Sequence, residues 1–90
     1  MVELPIKRGK RLIESGEFEF ETYLGKKELA SFLRGLAEQL ESGNEISINS
    51  DEWEIKSRFS EPIEVEIEFN GDERKLEIEL KFKERTGIRV

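Results

Sequence analysis

Hydrophobic and polar positions alternate strictly from Glu17 to Leu24. Phe18, Phe20, Thr22 and Leu24 fall on one face, and Glu17, Glu19 and Glu21 on the other. A period of two predicts a half-buried β-strand. The period then changes. Leu29, Phe32, Leu33, Leu36, Ala37 and Leu40 recur at i, i+3, i+4 and i+7, the stripe of an amphipathic helix. Gly25 opens that helix, and Glu28 is spaced to reach back to the cap. Ser42-Gly43 closes it, with Gly43 expected in the left-handed conformation. Four more stretches of period two follow. Glu45 to Asn49 turns Ile46 and Ile48 inward, and Glu52 to Arg58 does the same for Trp53 and Ile55. Ile63 to Phe69 carries Ile63, Val65, Ile67 and Phe69 on one face, and Arg74 to Lys83 carries Leu76, Ile78, Leu80 and Phe82. Ser50-Asp51, Pro62 and Asn70-Gly71-Asp72 separate these strands, the last being a strong hairpin signal.

The order β-α-β-β-β-β predicts an α+β fold, a mostly antiparallel sheet with one amphipathic helix packed on one face. The first strand pairs beside either the second or the last. Residues 1–15, with Pro5 and Gly9, read as a flexible basic arm, or as a weak extra strand around Arg11 to Glu14. Residues 16–84 form the single α+β domain, and 85–90 a frayed tail.

This pattern resembles the Amphi-Trp domain family of small archaeal and bacterial proteins. The Phe-rich opening strand carries the resemblance together with the helix end Leu36-Ala37-Glu38-Gln39-Leu40-Glu41-Ser42-Gly43. So does the closing pair Val65-Glu66-Ile67-Glu68 and Leu76-Glu77-Ile78-Glu79-Leu80, so that it spans roughly Phe18 to Phe82. Where the family places a tryptophan at the end of its last strand, this chain has Phe82. The resemblance implies a small stand-alone domain and carries over no catalytic residues.

Composition narrows the chemistry. The 90 residues suit one domain, and 40% of them are charged, so nearly every solvent-facing position carries a charge. There is neither cysteine nor histidine. Disulfides, thiol nucleophiles, catalytic triads and metal sites built on sulfur or imidazole are excluded. With only carboxylates left as ligands, hard cations are the metals that could bind, but Asp51-Glu52 and Asn70-Gly71-Asp72-Glu73 lack the spaced ligands of a calcium loop and read as turns. The serines have no base to activate them, and carboxylates on an open sheet face are solvated acids. The expectation is a non-enzymatic protein with no metal and no cofactor. No apolar run approaches the ~18 residues of a membrane span, and the N-terminus lacks the order of a secretory signal, so a cytoplasmic setting is expected. The abundance of Glu, Lys, Arg and Ile, with a single Gln, resembles proteins from hot environments.

Two surfaces remain as candidates for a partner. The outward sheet face gathers Glu17, Glu19, Glu21, Glu64, Glu66, Glu68, Glu77 and Glu79, a platform for a basic protein if it is more than a solvated face. The second is the arm. Lys7, Arg8, Lys10 and Arg11 against Glu3 give residues 1–11 a formal +3, leaving −9 on the remainder of a chain whose net charge is −6. A basic arm can contact phosphate, but the acidic body opposes nucleic acid. Trp53, the single tryptophan, reads as core. A chain of this size without staples is marginal alone, and free sheet edges offer a route to a homodimer. The expected function is a protein-interaction or structural module that self-associates through sheet edges. The alternative is an accessory nucleic-acid-binding protein that uses the arm.

Overall fold

A computed structural model of the chain describes residues 11–85. Its elements run β1 (Arg11–Ile13), α1 (Lys26–Ser42), β2 (Glu45–Asn49), β3 (Trp53–Arg58), β4 (Glu64–Asn70) and β5 (Lys75–Lys81). Among the described residues, one helix and five strands make the α+β class expected from the pattern. The strands form two sheets, one of order β1-β3-β2 and one of β4-β5. Correspondingly the chain divides into two compact units, one reaching to Lys56 and one beginning at Ser57.

In the first unit β3 is central. β1 pairs with it in parallel, Arg11 opposite Trp53 and Ile13 opposite Ile55. The Arg11 N–H donates to the Glu52 carbonyl at 2.9 Å. β2 takes the other edge after a connection too short for a parallel crossover, so that pair is antiparallel. Ser50 makes the turn. Its N–H donates to the Trp53 carbonyl at 2.9 Å, and its Oγ accepts from the Glu52 and Trp53 N–H groups at 3.1 and 3.3 Å.

The first strand is therefore not at Glu17 to Leu24, which carries no regular structure. Of the two readings of residues 11–14, the extra strand is the one that forms. β1 and β2 take the two sides of β3, so Glu17 to Leu24 has no place beside that central strand. Alternation still does its work on the side chains. Phe18 and Phe20 both meet the Trp53 ring edge-on, each with centroids 5.0 Å apart.

The helix begins as its sequence dictates. The Gly25 N–H donates to Glu28 Oε1 at 3.0 Å, satisfying a donor that no turn of helix reaches. Its end differs from expectation. Gly43 has φ 176°, an extended backbone open to any residue, in place of the left-handed conformation. The Gly43 N–H still donates to the Gln39 carbonyl at 3.1 Å, and Ser42 Oγ to the Glu38 carbonyl at 2.7 Å. Those two bonds cap the last turn, so the chain leaves without a reversal. α1 lies on β2, where Ile46 is buried at 3% exposure.

In the second unit β4 and β5 form an antiparallel hairpin in full register from Glu64 opposite Lys81 to Asn70 opposite Lys75. Asn70 builds the turn. Its Oδ1 accepts from the N–H groups of Asp72 and Glu73 at 3.0 and 3.1 Å. The left-handed residue of this turn is Arg74, φ 54°, and not Gly71. Before the hairpin, Phe59 is buried and packs edge-on against Phe82 at 5.3 Å. The Ser60 N–H donates to the Lys83 carbonyl at 2.8 Å, and the Arg85 guanidinium to the Glu61 carbonyl at 2.6 Å. Pro62 offers no N–H to a ladder, so the run expected as one meander is divided here into two sheets.

Candidate functional site

The strict alternation of β4 and β5 sorts their side chains into two faces. On one, Glu64, Glu66, Glu68 and Asn70 stand opposite Lys81, Glu79, Glu77 and Lys75. Of the eight carboxylates predicted for an acidic face, the hairpin brings together Glu64, Glu66, Glu68, Glu77 and Glu79. Glu17, Glu19 and Glu21 belong to the other unit, in its irregular segment before α1.

The pairing within this face is unusual. Glu66 faces Glu79 and Glu68 faces Glu77, like charges directly across the ladder, an arrangement that destabilises a strand pair. The lysines sit at its two ends. Lys81 Nζ lies 3.1 Å from Glu66 Oε1 and 3.7 Å from Glu64 Oε2, and Lys75 Nζ lies 3.7 Å from Glu77 Oε2. The hydrogen bond to Glu66, reinforced by the charges of Glu64, Glu66 and Glu79, raises the Lys81 ammonium above the ordinary lysine value. This open stripe can hold a cationic group loosely. It has no enclosed cavity in which a carboxyl would be desolvated, and among the described residues no acidic cluster has the geometry of a metal site.

The other face pairs Val65 with Leu80, Ile67 with Ile78 and Phe69 with Leu76. These six positions read as inward in the sequence, yet they stand exposed: Ile67 is 60% exposed, Phe69 68% and Ile78 63%. Both faces of the hairpin are thus open to solvent.

The sequence also gave no role to Gln39. From α1 its Oε1 accepts from the Ser47 N–H at 2.6 Å, and its Nε2 donates to the Ser47 carbonyl at 3.1 Å. The carboxamide does for β2 what a neighbouring strand would, closing one step of that edge. Of the basic arm, Arg11 lies in β1, while Lys7, Arg8 and Lys10 fall outside the described residues.

The Amphi-Trp domain family model matches residues 12–88, most of the chain, and the chain belongs to that family. No curated protein and no solved structure matches it. Among the described residues no helix is long and apolar enough to cross a membrane.

Proposed function

We propose that this Amphi-Trp domain is a non-enzymatic interaction module that works by association of its own copies, with the β4–β5 hairpin as the contact. One observation carries the reading: a two-stranded sheet that is exposed on both faces, one of them apolar along its whole length. Isolated hairpins are marginal in water, and independent stability takes a third strand or a packed layer. Among the described residues its two strands are also both edges, with a row of N–H and C=O groups open to pairing. Association supplies the missing layer.

The test is the mass of the full chain in solution across a wide concentration range, by sedimentation equilibrium. The expected result is a concentration-dependent rise from 10.5 kDa to at least twice that value. A mass fixed at one chain up to millimolar concentration would refute self-association.

A further inference from the structure

The apolar hairpin face is one of two such surfaces. α1 meets β2 along a cleft lined by Phe32, Gly35, Leu36 and Gln39 on the helix and by Ser47 and Ile48 on the strand. At 100° per residue, Leu29, Leu33 and Leu40 lie on the neighbouring flank, turned by roughly a quarter of the circumference from that cleft. They stay 44%, 48% and 40% exposed. Resting on the self-association reading, we infer that the hairpin face of one copy packs on this α1 flank of a second copy, reciprocally, in a two-fold dimer.

Three arguments select this occupant. The first is layer architecture. A sheet face is covered by a helix or by another sheet, and the helix flank is itself in need of cover. Reciprocal packing satisfies both surfaces in both copies, whereas stacking two hairpins would leave Leu29, Leu33 and Leu40 in water.

The second is charge. From Glu64 to Lys81, seven carboxylates against Arg74, Lys75 and Lys81 leave each hairpin at −4. The hairpin is only two strands wide, so its carboxylates lie within about one Debye length, ~8–10 Å, of anything seated on the apolar side. A second hairpin would bring another −4. The α1 flank instead brings Lys26 and Arg34, which follow Leu29 and Leu33 round the helix on the side away from β2, with Glu41 the one anion there.

The third is area. The six hairpin side chains present an apolar patch on the order of 600 Å², at the upper limit of what typical monomers leave exposed. Two such faces and two helix flanks remove on the order of 1,500 Å² from water, within the ~1,200–2,000 Å² of stable interfaces.

The absence of native cysteine makes cross-linking clean. Chains carrying Leu33→Cys and chains carrying Ile67→Cys are unfolded together, refolded as a mixture and oxidised. The expected product is the mixed Leu33–Ile67 disulfide dimer, in about tenfold excess over either homodimer, because only thiols whose Cα atoms approach within ~7 Å can join. A dominant Ile67–Ile67 dimer would replace the helix by a second hairpin as occupant. Closure of the bond within one chain, when both cysteines are placed in it and diluted, would overturn the reciprocal dimer. Failure of the self-association reading itself looks different: a monomeric mass and no cross-linked dimer in any mixture. A second variant needs no cysteine. Arg34→Glu should weaken association about tenfold at low salt, with the difference vanishing in high salt. An unchanged affinity at low salt would remove α1 from the contact.

Discussion

Residues 11–56 and residues 57–85 are built from the same alternating, charge-rich sequence, yet they finish their sheets in different ways. In the first, β3 has a neighbour on each side, Gln39 occupies part of the β2 edge, and two phenylalanines close on Trp53. In the second, both strands are edges and the six aliphatic and aromatic side chains of the hairpin's inner face stand in water. The first region uses local side chains to finish its sheet. The second is a finished hairpin on an unfinished layer. Regularity and completeness are thus separate properties: the ladder from Glu64 to Lys81 is in full register, and its apolar side chains stand exposed.

The largest test of this contrast is to charge the bare face. Ile78→Asp changes a side chain that is already 63% exposed in the chain, so a hairpin that functions uncovered would tolerate it within about 0.5 kcal/mol. If the face is a contact, the carboxylate is buried without a partner. Association should then weaken by at least roughly thirtyfold, the loss of about 2 kcal/mol that marks an interface anchor. Sedimentation equilibrium reads the outcome, and an unaltered mass would leave the two regions different in appearance only.

In the first region the corresponding break is Gln39→Leu. The substitution keeps the bulk of the side chain and removes both bonds to Ser47, leaving an N–H and a C=O of β2 without their partners. The cost is about 1–2 kcal/mol, near the lower end for unsatisfied groups because the site is only partly buried. Urea unfolding should show it. A stable variant would mean that water serves the β2 edge as well as the carboxamide does.

Why Gln39 was silent in the sequence, while α1 around it was plain, has a physical answer. Helix periodicity and the Gly25–Glu28 cap are local, set by residues within one or two turns of each other. A carboxamide bonded to a backbone eight residues away depends on how the helix lies on the strand. The same division explains the strands. Alternation correctly gave the shared face of Phe18 and Phe20, but ladder partners are decided by competition for edges, which β1 won with only Arg11 to Ile13. For the candidate site, the grouping of Glu64, Glu66, Glu68, Glu77 and Glu79 was legible because one hairpin holds them all. That Val65, Ile67 and Phe69 would remain uncovered was not, since the pattern of an apolar face is identical whether a layer lies over it or not.

The Trp53 cluster gives a smaller effect. Phe18→Ala removes one edge-on partner and its buried area. We expect a loss of about 0.5–1.5 kcal/mol beyond area burial, with the emission of the single tryptophan shifting to longer wavelength. Phe20→Ala should do less, because Phe20 is already 58% exposed. Equal effects from the two would indicate that the cluster is symmetric in solution.

The smallest effects lie on the acidic face, and here the sign carries the information. Glu68→Lys converts the opposition of Glu68 and Glu77 into an attractive cross-strand pair and should stabilise the hairpin by about 0.2–1 kcal/mol, screened by salt. Lys81 reports the same field from the other direction. Its folded-state pKa is raised, chiefly by the hydrogen bond to Glu66. A cation held above its unfolded value contributes stability that is fully present below about 10.5 and is lost as pH rises through the folded value. Lys81→Met should therefore be less stable than the native chain at neutral pH. The two stability curves should converge above the folded pKa, where the native lysine is also neutral. Curves that stay parallel through that range would mean that the aliphatic stem of Lys81, and not its charge, holds the end of the ladder.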